Sequence, residues 1–173
     1  LVCSIKIIFM LDNLFNLVKQ HAGNAIINNP AIPNEQNDEA VQVASTSIFD
    51  GLKNAISGGN VNDIMSLFSG NANTNNNPVS QNIQGNFIQN LISKFGLNQT
   101  AANGVASNLI PNVLQNLISK TNDPNDNSFD LKNILSKIGG GNLNIQSLIN
   151  QFSGNNNQNG GGIVDTIKGI FNK

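Results

Sequence analysis

Arginine, tryptophan and tyrosine are missing from these 173 residues, and cysteine and histidine occur once each, as Cys3 and His21. Charge is scarce as well: charged residues make up 11% of the chain, the formal net charge is −1, and all nine cations are lysine. A reader of duplex nucleic acid needs a basic face that displaces counterions and arginine forks for guanine, so no nucleic-acid partner is expected. The same shortage argues against a polybasic contact with an anionic membrane surface. One cysteine permits no intrachain disulfide. A lone histidine, with no second thiol or imidazole near it in the sequence, builds no metal site. His21 reads instead as a solvent-facing residue whose cation suits a helix C-terminus.

Long apolar runs are lacking too. The opening "LVCSIKIIFM" is interrupted by Lys6 and soon after by Asp12, well short of the about 20 apolar residues a membrane helix needs. As a lipoprotein signal it fails, because Val2 stands where a small residue should precede the cysteine and no apolar region comes before it. Residues 1–9 are therefore expected to be a non-native or misassigned leader, with Met10 as the start. The absence of a targeting signal points to the cytoplasm, and a membrane partner is not expected.

What the chain does have is asparagine, roughly a fifth of all residues, far above its usual share. That load fits a base-composition bias, or loops lined with amides that bind something. The chain also has an echo. "VASTSIFDGLKNAIS" from Val43 to Ser57 aligns without gaps on "VASNLIPNVLQNLIS" from Val105 to Ser119, with 8 of 15 positions identical. "GGNVNDIMSLFSGN" after Ser57 has a second copy, "GGNLNIQSLINQFSGN", that starts at Gly140, beyond an insertion over Lys120 to Gly139. "IQGNF" at Ile83 to Phe87 finds a further echo, "IKGIF", at Ile167 to Phe171. A spacing above 50 residues exceeds most solenoid repeats, so duplication of a small helical unit is the expectation.

Helix spacing runs through both copies. Leu11, Leu14, Phe15 and Val18 share one face of a helix from about Met10 to His21. Gly23, Pro30 and Pro33 break the chain, and Asn34 or Asn37 is placed to cap the next helix, near the acids Asp38 and Glu39. That helix carries Ala44, Ile48, Leu52 and Ile56 at fourfold spacing and stops at Gly58-Gly59. A short helix capped by Asn60 or Asn62 follows, with Ile64, Met65, Leu67 and Phe68 apolar. "SGNANTNNNP" is the polar connector. A helix from Val79 to Phe95 closes at Gly96, and Asn98 caps the next, whose apolar row Ala102, Ala106, Ile110, Leu114, Ile118 runs across Pro111. Mid-helix proline costs about 3 kcal/mol, so a kink or a fresh helix near Pro111 is predicted. Useful stretches of period-two alternation do not occur, which makes the chain all-α.

The expected organisation is a multihelical bundle built from two diverged copies of a helical unit plus a C-terminal amphipathic helix. Residues 10–70 form unit 1, 71–78 an Asn-rich linker, and 79–154 unit 2 with an inserted helix near 128–138. Residues 155–162 form an Asn/Gly linker and 163–173 the terminal helix, which is expected to pack on the bundle. If the echoed helices face a shared core, Ile48 should match Ile110 in burial, and Leu52 should match Leu114.

No catalytic, cofactor-binding or metal-binding residue is assigned, and no cofactor is expected. A serine nucleophile would need a base, only His21 qualifies, and no GxSxG or SxxK pattern occurs. The acids Asp12, Asp38, Glu39, Asp123 and Asp126 fall at caps and turns, where they are favoured structurally. A hydrolase using carboxylates would require the fold to gather Asp50, Asp63 and Asp130. The Gly-rich segments follow no strand and lack the GK[ST] ending of a phosphate loop. Asn155, Asn157, Asn159 and Gly160 match positions 1, 3, 5 and 6 of a calcium loop, but Thr166 replaces the closing Glu, so calcium at Asn155–Thr166 is not expected.

"LISKFGLNQTAANGVASNLIPNVLQNLISK", Leu91 to Lys120, resembles the YidB-like bacterial domain-of-unknown-function family. In that family a short helix ends in a Leu-Gly turn, and a capped Ala-rich helix and an LIP.VL helix follow, as at Leu109 to Leu114 here. The opening "LDNLFNLV" is also similar to the family's start, and the likeness covers about two thirds of the chain from Met10. The resemblance implies a small multihelical bacterial domain with no established activity. The low charge and the asparagine load depart from its commoner members. The functional expectation is a non-enzymatic bacterial protein acting by self-association or contact with a protein partner. A carrier holding an apolar small molecule or lipid in a helical cavity is the alternative.

Overall fold

The computed structural model describes residues 2–69, 73–123 and 125–129, with side chains from Met10 onward, Asn127 excepted. The inserted helix near 128–138 lies almost wholly outside the described residues. The linker 155–162, the calcium-loop residues and the terminal helix 163–173 lie entirely outside them.

Within the described residues the architecture is all-α. Five α-helices follow one another: α1 over Val2–His21, α2 over Asn37–Ser57, α3 over Val61–Phe68, α4 over Pro78–Phe95 and α5 over Gln99–Thr121. A π-turn over Gly23–Ile27 and 3-10 turns over Asn34–Gln36 and Asn127–Phe129 fill the connections. The four long helices form a ring in which α1 packs on α2, α2 on α4, α4 on α5 and α5 back on α1. The echoed helices α2 and α5 therefore occupy opposite corners. The short α3, which follows α2, leans on α2 and α4, while the 3-10 turn Asn127–Phe129, which follows α5, leans on α5 and α1.

The apolar rows of all four helices converge on one core. Phe87, Leu14, Ile48, Leu52, Ile83 and Leu91 are among its largest enclosed side chains. Each such side chain contributes about 1.5–3 kcal/mol when withdrawn from water. Burial follows the echo: Ile48 and Ile110 are both 0% exposed, and Leu52 and Leu114 are 1% and 0% exposed. The neighbouring pairs Val43 and Val105, Ala44 and Ala106, and Ile56 and Ile118 are buried alike. The match lapses at Ser45, which is buried and donates to the Val41 carbonyl at 2.8 Å, whereas Ser107 is exposed.

Several local expectations need correction. The first helix begins at Val2, not Met10; neither Gly nor Pro lies between them to stop it. Neither Asn34 nor Asn37 caps α2, because the 3-10 turn Asn34–Gln36 runs straight into the helix and Gln36 takes the cap position without a side-chain bond. Asn60 occupies the cap position of α3, also without a side-chain bond. Proline 111 starts no fresh helix: α5 is continuous through it. The ring of Pro111 is buried in the core, and Ser107, whose carbonyl loses its helical partner, is exposed so that water can replace the bond.

Other punctuation is placed as expected. The Asn98 side chain accepts from the Ala101 N–H at 2.8 Å. Gly96, at φ 66°, ends α4 in the left-handed region that glycine tolerates best. The connector after α3 is partly built into the fold. Thr74 and Asn77 are buried, Thr74 accepts from Gln115 Nε2 at 3.2 Å, and Asn77 caps α4 by accepting from the Val79 N–H at 2.9 Å while donating to the Asp63 carbonyl at 2.9 Å.

Candidate functional site

A concavity with polar character opens between the end of α1 and the middle of α5, a groove of about 700 Å3. That volume falls within the ~300–1,000 Å3 typical of small-molecule sites. Its first wall comes from Gln20, His21 and Asn24 with Gly23, Ala25 and Asn29; its second from Asn108 and Asn112 with Ala101, Gly104 and Val105.

The first wall exists because α1 does not end in an ordinary cap. After Ala22 the chain widens into a π-turn, with Ile27 N–H donating to the Ala22 carbonyl at 3.0 Å and Asn28 N–H to the Gly23 carbonyl at 2.8 Å. Ile26 and Ile32 anchor the segment in the core. Between them Asn29 clamps the turn, its amide donating to the Ala25 carbonyl at 3.0 Å and its oxygen accepting from the Ala31 N–H at 3.0 Å. His21, the last residue of α1, is half-buried beside this turn.

The second wall is a ladder of back-bonded amides. Asn108 donates to the Gly104 carbonyl at 2.8 Å, Asn112 to the Asn108 carbonyl at 2.7 Å, and Asn116 to the Asn112 carbonyl at 2.9 Å. Each bond pins an NH2 group against the helix and leaves the amide oxygen as the outward acceptor. Asn108 and Asn112 thus present two fixed acceptors one helical turn apart, about 5.4 Å along the axis. Gly104 leaves the floor open beside them, since a Cβ built there would meet no atom within 4 Å.

The described carboxylates lie outside this groove. Asp38 pairs with Lys19 at 2.8 Å on the exposed surface, and Lys19 also sits 5.7 Å from the centroid of the Phe15 ring. Asp126 accepts from the Ser128 N–H at 2.9 Å and from Lys120 at 3.0 Å. The Ser128 hydrogen bonds chiefly, helped by the Lys120 ammonium, hold its carboxyl well below the usual carboxylate range, at about 2. Asp50 is exposed on α2, Asp63 is half-buried in the first turn of α3, and Asp130 lies outside the described residues. Cys3 falls on α1, in the part whose side chains are not described. Among the described residues no three His, Cys, Asp or Glu side chains gather in a way that could hold a metal ion, and no described helix is long and apolar enough to cross a membrane.

The sequence reading placed His21 at a helix end and Gly23 at a break, and missed that the two form one wall of a groove. The fourfold spacing of Gly104, Asn108, Asn112 and Asn116 was visible as the polar counterpart of the apolar row on α5. Its partner across the groove was not, because the two walls are far apart in the chain. No protein-family model, curated protein or solved structure matches this chain.

Proposed function

We propose that this is a non-enzymatic helical protein that associates with copies of itself through the outer face of α4 and α5. One observation carries the reading: from Pro78 to Thr121 the only charged side chains are Lys94 and Lys120. The exposed positions are neutral, with Gln81, Asn82, Asn86 and Gln89 on α4 and Gln115 on α5. α4 and α5 are adjacent in the ring. Two such faces meet without like-charge repulsion, and amides supply both donors and acceptors for each other. The charges of the described chain are concentrated elsewhere, from Asp12 to Asp63 and after Thr121.

The bundle is proposed to descend from two diverged copies of one unit, α1 with α2 and α4 with α5, completed by a C-terminal helix. The paired burial of the echoed positions and their placement at opposite corners support this. The likeness to the YidB-like family, carried by Leu91 to Lys120, is part of the same proposal. The carrier reading finds less support, since a lipid tail in the groove would leave its amides unpaired.

Sedimentation velocity across a concentration series tests the association. The expected result is a mass above the 18.4 kDa of one chain, reverting to monomer when Asn82→Lys and Asn86→Lys place like charges on the neutral face. A chain that stays monomeric at every concentration overturns the proposal.

A further inference from the structure

The geometry points to the groove between the end of α1 and α5 as a binding site for a neutral, hydroxyl-rich small molecule of the saccharide class. Three observations converge on that chemistry. The lining carries no Lys, Asp or Glu, and His21 is its one titratable side chain, so no fixed charge selects an ionic ligand. The α5 wall presents fixed amides, because one N–H of Asn108 and one of Asn112 is held by a helix carbonyl, which leaves each amide oxygen and one N–H to a ligand. The opposite wall presents donors: the Asn24 oxygen faces the Asn28 amide at 3.5 Å, which leaves the Asn24 NH2 group outward. Gln20 and His21 make no side-chain hydrogen bond among the described residues, so their groups are available to a ligand.

A ligand bridging these walls meets donors and acceptors side by side on both and must itself donate and accept. A hydroxyl does both, and a ring bearing several hydroxyls does so on every edge. A lipid tail offers neither function, and a nucleobase would need an aromatic platform for stacking, which the lining does not contain. With no aromatic face to cover a sugar ring, binding rests on hydrogen bonds alone, and the expected affinity is in the millimolar range, on the order of 1 mM. The site is half of a proposal separate from self-association, because its walls are α1 and α5 rather than the α4–α5 face.

The test is 15N NMR of the full chain titrated with cellobiose and maltose as neutral probes, and with glucuronate and glucosamine as charged ones. The expected result is saturable shifts of the side-chain NH2 signals of Gln20, Asn24, Asn108 and Asn112 with a neutral disaccharide. Gly104→Leu fills the groove at a position where a Cβ is unobstructed; it should keep the fold and abolish the shifts. Joint Asn108→Ala and Asn112→Ala removes the acceptors without filling the groove and should weaken binding at least about tenfold. The proposal is overturned if neither disaccharide gives saturable shifts, if the shifts survive Gly104→Leu, or if the charged probes bind as well as the neutral ones.

Discussion

Replacing Gly51 by alanine should destabilise the protein, although alanine is the better helix former. Gly51 is buried in the interior of α2, and a Cβ added there would overlap Cγ1 of Ile83 on α4 and lie 3.1 Å from its Cδ1. Ile83 is itself 0% exposed and cannot swing into solvent. The gain from helix propensity is about 1 kcal/mol at most, whereas overpacking a filled core costs about 1–3 kcal/mol. The clash involves the stem of Ile83 rather than its tip, so the upper part of that range applies and the net loss is about 1–2 kcal/mol. For a chain of this size that lowers the melting temperature by about 2–8 °C. Thermal unfolding followed by circular dichroism at the helical band reads the shift directly. The decisive comparison is the double-mutant cycle with Ile83→Ala, which removes Cγ1. In that background Gly51→Ala should become neutral or stabilising, a coupling of about 1–3 kcal/mol. Additive effects in the two backgrounds would refute close approach of α2 and α4 at this position.

Four further outcomes follow from the structure. Leu114→Asp puts a charge into a fully enclosed site and should cost about 4 kcal/mol or more, leaving no cooperative unfolding transition, whereas Asn73→Asp on the exposed surface should leave the melt unchanged; a soluble, cooperatively melting Leu114→Asp protein would contradict the core assignment. Asn98→Ala should lose about 1 kcal/mol and Asn77→Ala about 2 kcal/mol, since Asn77 both caps α4 and holds the Asp63 carbonyl. Asn37→Ala should be neutral or slightly stabilising in urea unfolding, because its oxygen is buried without a partner; a loss as large as that of Asn98→Ala would restore Asn37 as a cap. Asp126 should titrate at about 2 in carboxyl-carbon NMR. Because the folded value is depressed, its stabilising contribution is complete above the unfolded value near ~3.9 and is lost as pH falls through about 2. Lys120→Ala should raise the midpoint, and a wild-type midpoint near the unfolded value would contradict the Ser128 and Lys120 contacts.

The helices were legible wherever an apolar row repeated at fourfold spacing and an unambiguous terminator closed it. The end of α2 at Gly58-Gly59, the end of α4 at Gly96 and the cap at Asn98 all followed from local chemistry. The misses have different causes. Proline 111 signals a break to a reader of propensities, yet its ring is buried and α5 runs on through it. Asn37 signals a cap, yet the 3-10 turn before it supplies the helix start. Asn77 carried a local cap signal, an Asn directly before Pro78, but its second bond, to the Asp63 carbonyl on another helix, had none. The groove was the least legible feature, since a run of polar residues on α5 looks the same whether it faces solvent or a wall contributed by the other end of the domain.

The ring of helices has three sides between sequence neighbours and one that is not. The packing of α1 on α2, α2 on α4 and α4 on α5 can form as the chain is laid down, but α1 meets α5 only by closing a loop over nearly the whole described chain. Loop closure is the entropically costly step, so this side is the natural last to form in folding and the first to part in partial opening. The amide-lined groove straddles that same side. A ligand held there would act as a clasp on the weakest junction of the domain, and amide exchange would be slowed along α1 and α5 before it was slowed elsewhere.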